Sequence, residues 1–273
     1  ITQEYGGDIL PLIIPNELTN GDGLCNVSIF VEENGDIILN IRHVHYTLSH
    51  STVNQKYYCG WGCLAYLNPE DDMTLTTGNY LCKLNSDLQI EYFNKVDTSK
   101  NDIKPIWEFV GLEDARVFRW NDILYVCGVR RDVYDNGQGR MELCEVNWDE
   151  NQCTEETRER IQHPSQNYLE KNWMPVLDMP YHFLKWTNPL EIVKVNLEDK
   201  GKEEVAKGVL NTISCETVIE KTEKIDLPFD LRGGSQVVKV DGNYVCITHE
   251  VDFWHHEGVW KDAFYYHRFV MWD

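Results

Sequence analysis

The chain has 273 residues, 42% of them hydrophobic and 12% aromatic, which is enough to bury the core of one large all-β domain or of two ordinary domains. Its formal net charge is −20, and a protein this acidic repels phosphate backbones at long range, so nucleic-acid binding is not expected. The sequence contains no apolar run of the roughly 18 residues that a membrane-spanning helix needs, so no membrane span is predicted.

The cysteines favour a reducing compartment. There are nine, an odd number, and Cys127, Cys144 and Cys246 lie inside strand-like apolar runs. This pattern predicts reduced, buried thiols and a cytoplasmic protein. Cys59 and Cys63 flank a Gly-Trp-Gly segment, but no second Cys/His pair follows at zinc spacing, so a structural role is expected and no metal site is predicted.

The first third of the chain predicts strands after an irregular start. Pro11 and Pro15 disfavour regular structure there, and the Asn34-Gly35 pair between two apolar runs is a strong hairpin signal. The predicted elements of this part are, in order, an irregular segment at 1–23, a hairpin with strands at 24–31 and 37–44, a polar loop at 45–58, and strands within 60–67 and 78–93.

The rest of the chain predicts further hairpins. Asn121-Asp122 and Asp241-Gly242 interrupt pairs of apolar runs and predict tight turns. Residues 155–160 have the composition of a short helical turn, and the charged residues 198–208 predict an exposed loop. The predicted elements are, in order, a hairpin that starts at 111 and has its second strand at 123–129, a strand at 140–146, a hairpin that starts at 171 and turns near 180, strands at 181–186 and 191–195, a hairpin of 236–240 and 243–249, and a closing strand at 264–272.

The hairpins share one plan: a polar and charged start, an apolar strand, a tight turn, and a second apolar strand. Together with the strands within 60–93, this repetition predicts five short antiparallel sheets in a single five-bladed β-propeller that spans residues 1–273. A β-sandwich is the structural alternative, but it does not account for charges at the same point of each hairpin. In a propeller, the innermost strands converge on one axis and bring these charges together around a funnel. The residues gathered there would be Asp114, Arg116, Lys171, Arg232 and His249.

Two adjacent carboxylates start the second hairpin. Glu113 and Asp114 precede a buried strand, where acidic side chains are costly unless they are paired or used. Strand alternation predicts that the two point to opposite sides, with Arg116 leaning toward Asp114. One interpretation is a structural Asp–Arg pair at a strand end, and the other is a functional carboxylate that faces a cavity.

The start of this hairpin carries a family resemblance. Gly111-Leu112-Glu113-Asp114-Ala115-Arg116 resembles the Gly-x-Glu-Asp-Pro-Arg motif of glycoside hydrolase family 130, the mannoside phosphorylases and related mannosidases, although Ala115 replaces the usual proline. The resemblance is remote but spans nearly the whole chain. The other segments similar to the family are Asn26 and Arg42 in the first hairpin, Lys171 before the third, the loop Arg232-Gly233-Gly234-Ser235 with the strand that ends at His249, and Tyr265-Tyr266-His267-Arg268.

The resemblance implies a five-bladed propeller that makes or breaks a glycosidic bond with inversion of the anomeric carbon. The substrates that it implies are mannosides. It implies that Asp114 transfers the proton, that Arg116 orients it, and that inorganic phosphate or a sugar phosphate is the co-substrate, with no other cofactor. The residues expected to bind substrate or phosphate are Asn26, Arg42, Arg116, Arg130, Arg131, Lys171, Asn172, Arg232, His249, Tyr266 and His267.

Two other functions stay open. An inverting hydrolase would need a second carboxylate to activate water, and Glu250, which follows His249 where the family commonly has glycine, is one candidate. A carbohydrate-binding propeller without catalysis would keep Asp114 for structure alone.

His255 and His256 are expected in a loop at the rim of the cleft and not in a metal site, because adjacent side chains on an extended chain point apart. No Asp-x-Asp motif supports a metal-dependent transferase, and the oligomeric state is not predicted.

Overall fold

A computed structural model describes the chain except for residues 1–3, 5, 9, 49–56, 60–61, 67–74, 164–166 and 257–259. The described part is built almost entirely of β-strands and contains no α-helix, only short 3₁₀ turns such as Asn16–Leu18. None of its helical turns is long and apolar enough to cross a lipid bilayer. The all-β part of the fold prediction is therefore confirmed for these residues.

The first eight strands are β1 (Gly23–Val31), β2 (Ile37–Val44), β3 (Tyr46–Leu48), β4 (Tyr57–Cys59), β5 (Gly62–Tyr66), β6 (Leu75–Leu84), β7 (Ile90–Lys95) and β8 (Phe109–Val110). The first sheet follows the irregular N-terminal segment and has the strand order β1-β2-β6-β7, all antiparallel, with β8 parallel to β6. The strands β3, β4 and β5 form a separate small sheet. β3 and β4 fall in or at the end of the segment 45–58, for which the sequence predicts a polar loop, whereas β5 lies in the strand predicted within 60–67.

Two further four-stranded units join into one eight-stranded sheet. Parallel pairing between Arg160–Gln162 and Thr212–Ser214 connects their outer strands. The strands of the second unit are β9 (Leu112–Trp120), β10 (Ile123–Arg130), β11 (Arg140–Trp148) and β12 (Cys153–Gln162), and those of the third are β13 (Met174–Pro175), β14 (His182–Thr187), β15 (Leu190–Val205) and β16 (Gly208–Glu220).

The last sheet is centred on one long strand that pairs with all the others. Its strands are β17 (Arg232–Gly233), β18 (Val238–Val240), β19 (Asn243–His256) and β20 (Trp260–Trp272). Apart from the small sheet of β3, β4 and β5, the described strands thus form four consecutive units, because β6 and β7 extend the first sheet and do not make one of their own. The count of five blades is not confirmed.

Three segments differ from the sequence predictions. Residues 155–160 belong to β12, because Arg158 and Arg160 form ion pairs with Glu155 and Glu142 at 2.7 and 3.1 Å, which removes the cost of placing these charges in a buried strand. Residues 198–208 extend the β15–β16 hairpin, whose outer part pairs backbone to backbone while its charged side chains face solvent. His255 and His256 continue β19, and their side chains lie outside the described part of the structure.

Successive units pack against each other through apolar clusters. Phe118 and Trp120 of β9 both contact Phe183 of β14 edge-on, and the three side chains lie in the same core. A second cluster joins Leu81 of β6 to Val117 of β9. The third and fourth units share a cluster that includes Met174, Val237 and Cys246. The cysteines whose side chains are described form no disulfide; they are Cys25, Cys82, Cys127, Cys144, Cys153, Cys215 and Cys246.

The innermost strand of each unit is tied to its neighbours by hydrogen bonds. The side-chain nitrogen of Gln236, between β17 and β18, donates to the carbonyl oxygens of Ile29 in β1 and Val117 in β9 at 2.7 and 2.8 Å. Trp120 of β9 donates its ring N–H to the carbonyl of Val176, just after β13, at 3.1 Å. These bonds hold β1, β9, β13 and β17 around one centre, so the polar residues at their starts meet there.

Candidate active site

A cavity of about 420 Å³ opens where the inner strands of the four units start. Each unit contributes to its wall, as the repetition of charged hairpin starts predicts. The cavity brings together eight of the residues expected from the sequence: Asn26, Asp114, Arg116, Lys171, Asn172, Arg232, His249 and His267.

Three of the wall residues adopt the left-handed backbone region. The φ angles of Asn26, Asp114 and Asn172 are 47°, 51° and 62°. Asn and Asp tolerate this region better than other non-glycine residues, and local strain of this kind concentrates at functional sites. At Asn26 and at Asp114 the strand pairing shifts register, so each lies on a β-bulge that turns its side chain out of the regular alternation.

The bulge changes the expected orientation of the paired carboxylates. Glu113 and Asp114 do not point to opposite sides, because both approach the guanidinium of Arg42, at 3.7 Å (Oε2 to Nη2) and 2.9 Å (Oδ1 to Nη1). Asn26 also donates its side-chain N–H to Asp114 Oδ1. Arg42 does not line the cavity; it lies behind Asp114 and is held by Thr77 Oγ1, which accepts from Nη2 at 2.9 Å.

The electrostatic surroundings separate the two carboxyl groups. Burial works to raise the pKa of Asp114, but the Arg42 charge and the Asn26 hydrogen bond outweigh it, so its pKa lies below the ordinary value. Burial raises the pKa of Glu113, and Arg42 only partly opposes this effect. One side-chain oxygen of Glu113 is buried without a hydrogen-bond partner. Pairs of carboxyl groups whose pKa values are driven apart are typical of acid–base sites, with the low-pKa group ionised at neutral pH.

Arg116 does not orient Asp114 by direct contact. Its guanidinium donates to the carbonyl oxygens of Gly233, at 2.9 Å, and Gly234. The loop must be glycine here, because a Cβ atom on Gly233 would lie 2.0 Å from the carbonyl oxygen of Asn172. Arg116 therefore holds the glycine loop that carries Arg232. The arginine that forms an ion pair with Asp114 is Arg42, and not Arg116 as the structural interpretation of the sequence predicts.

Positive charge collects on the cavity wall. Lys171 and Arg232 line the cavity, and neither side chain makes an ion pair with an acid among the residues that the structure describes. His249 and His267 are directly opposite each other on β19 and β20. Burial lowers the pKa of His249, and the neighbouring charge of Arg232 lowers it further. In a chain of net charge −20, such a group of cations and imidazoles is suited to an anionic ligand.

Besides Arg42, three predicted binding residues do not line the cavity. Arg130 is only 2% exposed and forms an ion pair with Asp132 at 2.5 Å, so its charge is used inside the second unit. Arg131 donates to the carbonyl of Gly137 at 3.0 Å and does not line the cavity. Tyr266 lies on the opposite face of β20 from His267, because successive strand residues alternate.

Tyr265, like Val27 and Ser28, is a cavity residue that is not among the binding residues predicted from the sequence. It lines the cavity beside His267, two residues away on the same face of β20. Strand alternation applied to His267 identifies Tyr265 and excludes Tyr266. The same alternation turns Glu250 away from His249, and Glu250 forms an ion pair with Arg268 at 2.9 Å. Among the described lining residues, Asp114 is the one carboxylate.

No protein-family model matches this chain. No curated protein matches it either. Among solved structures, the chain is similar to the crystal structure of alpha-L-arabinofuranosidase from Lactobacillus brevis, with 12% sequence identity, 89% of this chain and 72% of that chain covered, and a TM-score of 0.44. At this level the similarity is a loose likeness of strand arrangement, and it transfers neither an activity nor a blade count.

Proposed function

We propose that the protein is an inverting carbohydrate-active enzyme that transfers a glycosyl group between a sugar 1-phosphate and an acceptor hydroxyl. The observation that carries this proposal is the composition of one cavity: a single carboxylate, Asp114, shares its wall with Lys171, Arg232 and His249. The carboxylate suits proton transfer, and the cations suit a phosphate.

In the direction of synthesis, Asp114 accepts the proton of the acceptor hydroxyl, directly or through a sugar hydroxyl. The acceptor oxygen then forms a bond to the anomeric carbon, and the bond from that carbon to the phosphate oxygen breaks on the opposite face. Phosphate leaves with the electron pair, and Lys171 and Arg232 neutralise its charge. In the reverse direction phosphate attacks, and protonated Asp114 donates its proton to the leaving oxygen.

The lowered pKa of Asp114 suits the synthetic direction, because a general base must be ionised before it accepts a proton. The proton acceptor is then a carboxylate that is already deprotonated in the resting enzyme at neutral pH. Glu113, whose pKa is raised, lies behind this site and does not line the cavity.

The finer assignment to mannosides rests on the resemblance of residues 111–116 to the family 130 motif. Asp114 and Arg116 of that motif line the cavity, which supports a shared chemistry. An inverting hydrolase would need a second carboxylate near the attacking water. Glu250 is directed away from the cavity, which gives less support to the hydrolase in which it is the base.

The test is a panel of sugar 1-phosphates, mannose 1-phosphate among them, incubated with monosaccharide and oligosaccharide acceptors, with release or uptake of inorganic phosphate as the readout. We expect phosphate release that depends on the acceptor, and phosphorolysis of the purified product. Release of sugar from glycosides without phosphate would support the hydrolase, and binding without turnover across the panel would support the carbohydrate-binding module.

A variant pair sharpens this test. Lys171→Met should raise the KM for the sugar 1-phosphate by roughly tenfold or more, since removing one partner of a charge-assisted contact costs at least about 1.5 kcal/mol. Lys194→Met, at an exposed position of β15, is the matched control and should leave the KM unchanged. Equal behaviour of the two variants would remove Lys171 from the phosphate site.

A further inference from the structure

The β19–β20 hairpin extends well beyond the rest of its sheet. β17 pairs with β19 only at Thr248 and His249, and β18 pairs with it only between residues 243 and 245. From residue 250 outward, β19 pairs with β20 alone among the described strands. We call residues 250–256 of β19 together with 260–266 of β20 the arm.

The two faces of the arm differ in their relation to the cavity. His249, His267 and Tyr265 all line the cavity, so they define the cavity face. Strand register places Val251, opposite Tyr265, and Phe253, two residues further out, on the same face. The other face carries the Glu250–Arg268 ion pair, Tyr266, Phe264 and Trp254.

The cavity face presents aromatic rings at increasing distance from the cavity. Tyr265 is 59% exposed and Phe253 is 39% exposed. Because side chains on one face of a strand recur about every 7 Å, Phe253 lies one such step further along the arm than Val251, the partner of Tyr265. A sugar chain that extends out of the cavity along this face passes Tyr265 first, and only a longer chain reaches Phe253.

We propose that the cavity face of the arm is a binding strip for an oligosaccharide acceptor, with Tyr265 and Phe253 packing against successive sugar units. This inference rests on the proposed function, which places the reacting sugar in the cavity. Aromatic rings supply apolar area of defined orientation, and the hydroxyl of Tyr gives an additional polar contact. Tyr265 belongs both to the cavity wall and to the arm, so a sugar chain that starts in the cavity continues onto this face. The ligand expected on this face is therefore an extension of the one in the cavity.

The register of the hairpin offers matched control positions. Phe264 is 49% exposed, lies on the opposite face of the arm, and is the control for Phe253. Tyr266 is 50% exposed, neighbours Tyr265 in sequence, and is its control. Each test residue and its control have the same side chain and similar exposure, so a general effect on hairpin stability would appear in both.

The experiment compares acceptors of one to four sugar units, in the sugar series that supports turnover in the phosphate assay. For Phe253→Ala, we expect unchanged kinetics with the monosaccharide and a KM for the tri- and tetrasaccharide raised roughly 3- to 10-fold, the usual effect of losing one aromatic contact. Tyr265→Ala should weaken binding of acceptors from the disaccharide upward. Phe264→Ala and Tyr266→Ala should match the unsubstituted protein for every acceptor length.

The outcomes separate this inference from the proposed function. Turnover with no dependence on acceptor length, or equal effects of Phe253→Ala and Phe264→Ala, would overturn the binding strip and leave the enzyme assignment intact. If no series supports turnover, binding of each series is measured by calorimetry: tighter binding of longer chains that Phe253→Ala abolishes supports the strip in a protein that is not this enzyme. Absence of length-dependent binding in every series, or binding of an extended peptide to the edge of β20 in its place, overturns the strip.

Discussion

Replacing Asp114 by Asn is the most informative single change in this protein. Asn has nearly the same shape and keeps an oxygen that accepts hydrogen bonds from Arg42 and Asn26, but it cannot accept the proton that the proposed reaction transfers. Activity should therefore fall by roughly 10² to 10⁴, the usual contribution of a general acid–base group. At about 1.4 kcal/mol for each factor of ten, this corresponds to an activation free energy higher by about 3 to 6 kcal/mol.

The structure predicts a much smaller effect of this change on stability. Asp114 is 28% exposed and has φ = 51°, a conformation that Asn tolerates, so no backbone strain is added. Arg42 keeps Glu113 within 3.7 Å, so its charge is not left without a carboxylate. The loss is that of a charged hydrogen bond replaced by a neutral one, about 1 kcal/mol, or about 2–4 °C in Tm for a chain of this length.

Both quantities should be measured on the same sample, as phosphate release per folded molecule and as a thermal melting curve. Asp114→Ala is the control, because alanine removes the acceptor and tolerates positive φ poorly. We expect the two variants to lose similar activity and Asp114→Ala to lose more Tm. A large loss of Tm in Asp114→Asn, with normal activity per folded molecule, would show that Asp114 is structural and would remove the main reason to regard this protein as an enzyme.

Three further predictions concern the surroundings of the cavity. His43 is 4% exposed, and burial lowers its pKa to about 4 from an ordinary 6.5, so the unfolded chain binds the extra proton first as the pH falls. The free energy of unfolding should therefore decrease by about 2 kcal/mol between pH 6.5 and pH 5, and urea unfolding curves at the two pH values should show that His43→Gln removes this decrease. Gly233→Ala should lower the free energy of unfolding by about 1–3 kcal/mol or more in the same assay, because the new Cβ meets the Asn172 carbonyl at 2.0 Å; an unchanged midpoint would mean that the loop can move. Glu250→Gln should change turnover by less than about twofold, because Glu250 pairs with Arg268 away from the cavity, whereas a loss of roughly 10² or more would restore Glu250 as the water-activating base of a hydrolase.

The sequence by itself determined the local elements of this protein. Alternating apolar runs and turn pairs such as Asn34-Gly35 act over a few residues, so most hairpins lie where they were expected, within a few residues of β1–β2, β9–β10 and β18–β19. The repeated charged hairpin starts also predicted which residues meet, and Asp114, Lys171, Arg232 and His249 line one cavity. A repeat carries this long-range information because each unit places the same position of its inner strand at the centre.

Only the tertiary structure decided how those residues are oriented and which units pair. The bulge at Asp114 reverses the expected alternation, and it is visible only from the register against β10. Arg116 donates to the carbonyl of Gly233, which is more than a hundred positions away in sequence. Arg130 forms a buried ion pair with Asp132 and does not reach the cavity. Pairing of β6 with β2 places β6 and β7 in the first sheet, although spacing along the chain predicts a separate sheet there. In each case the outcome depends on a partner distant in sequence, and the free energy of an ion pair or a strand pairing is set by that partner and not by the residue alone.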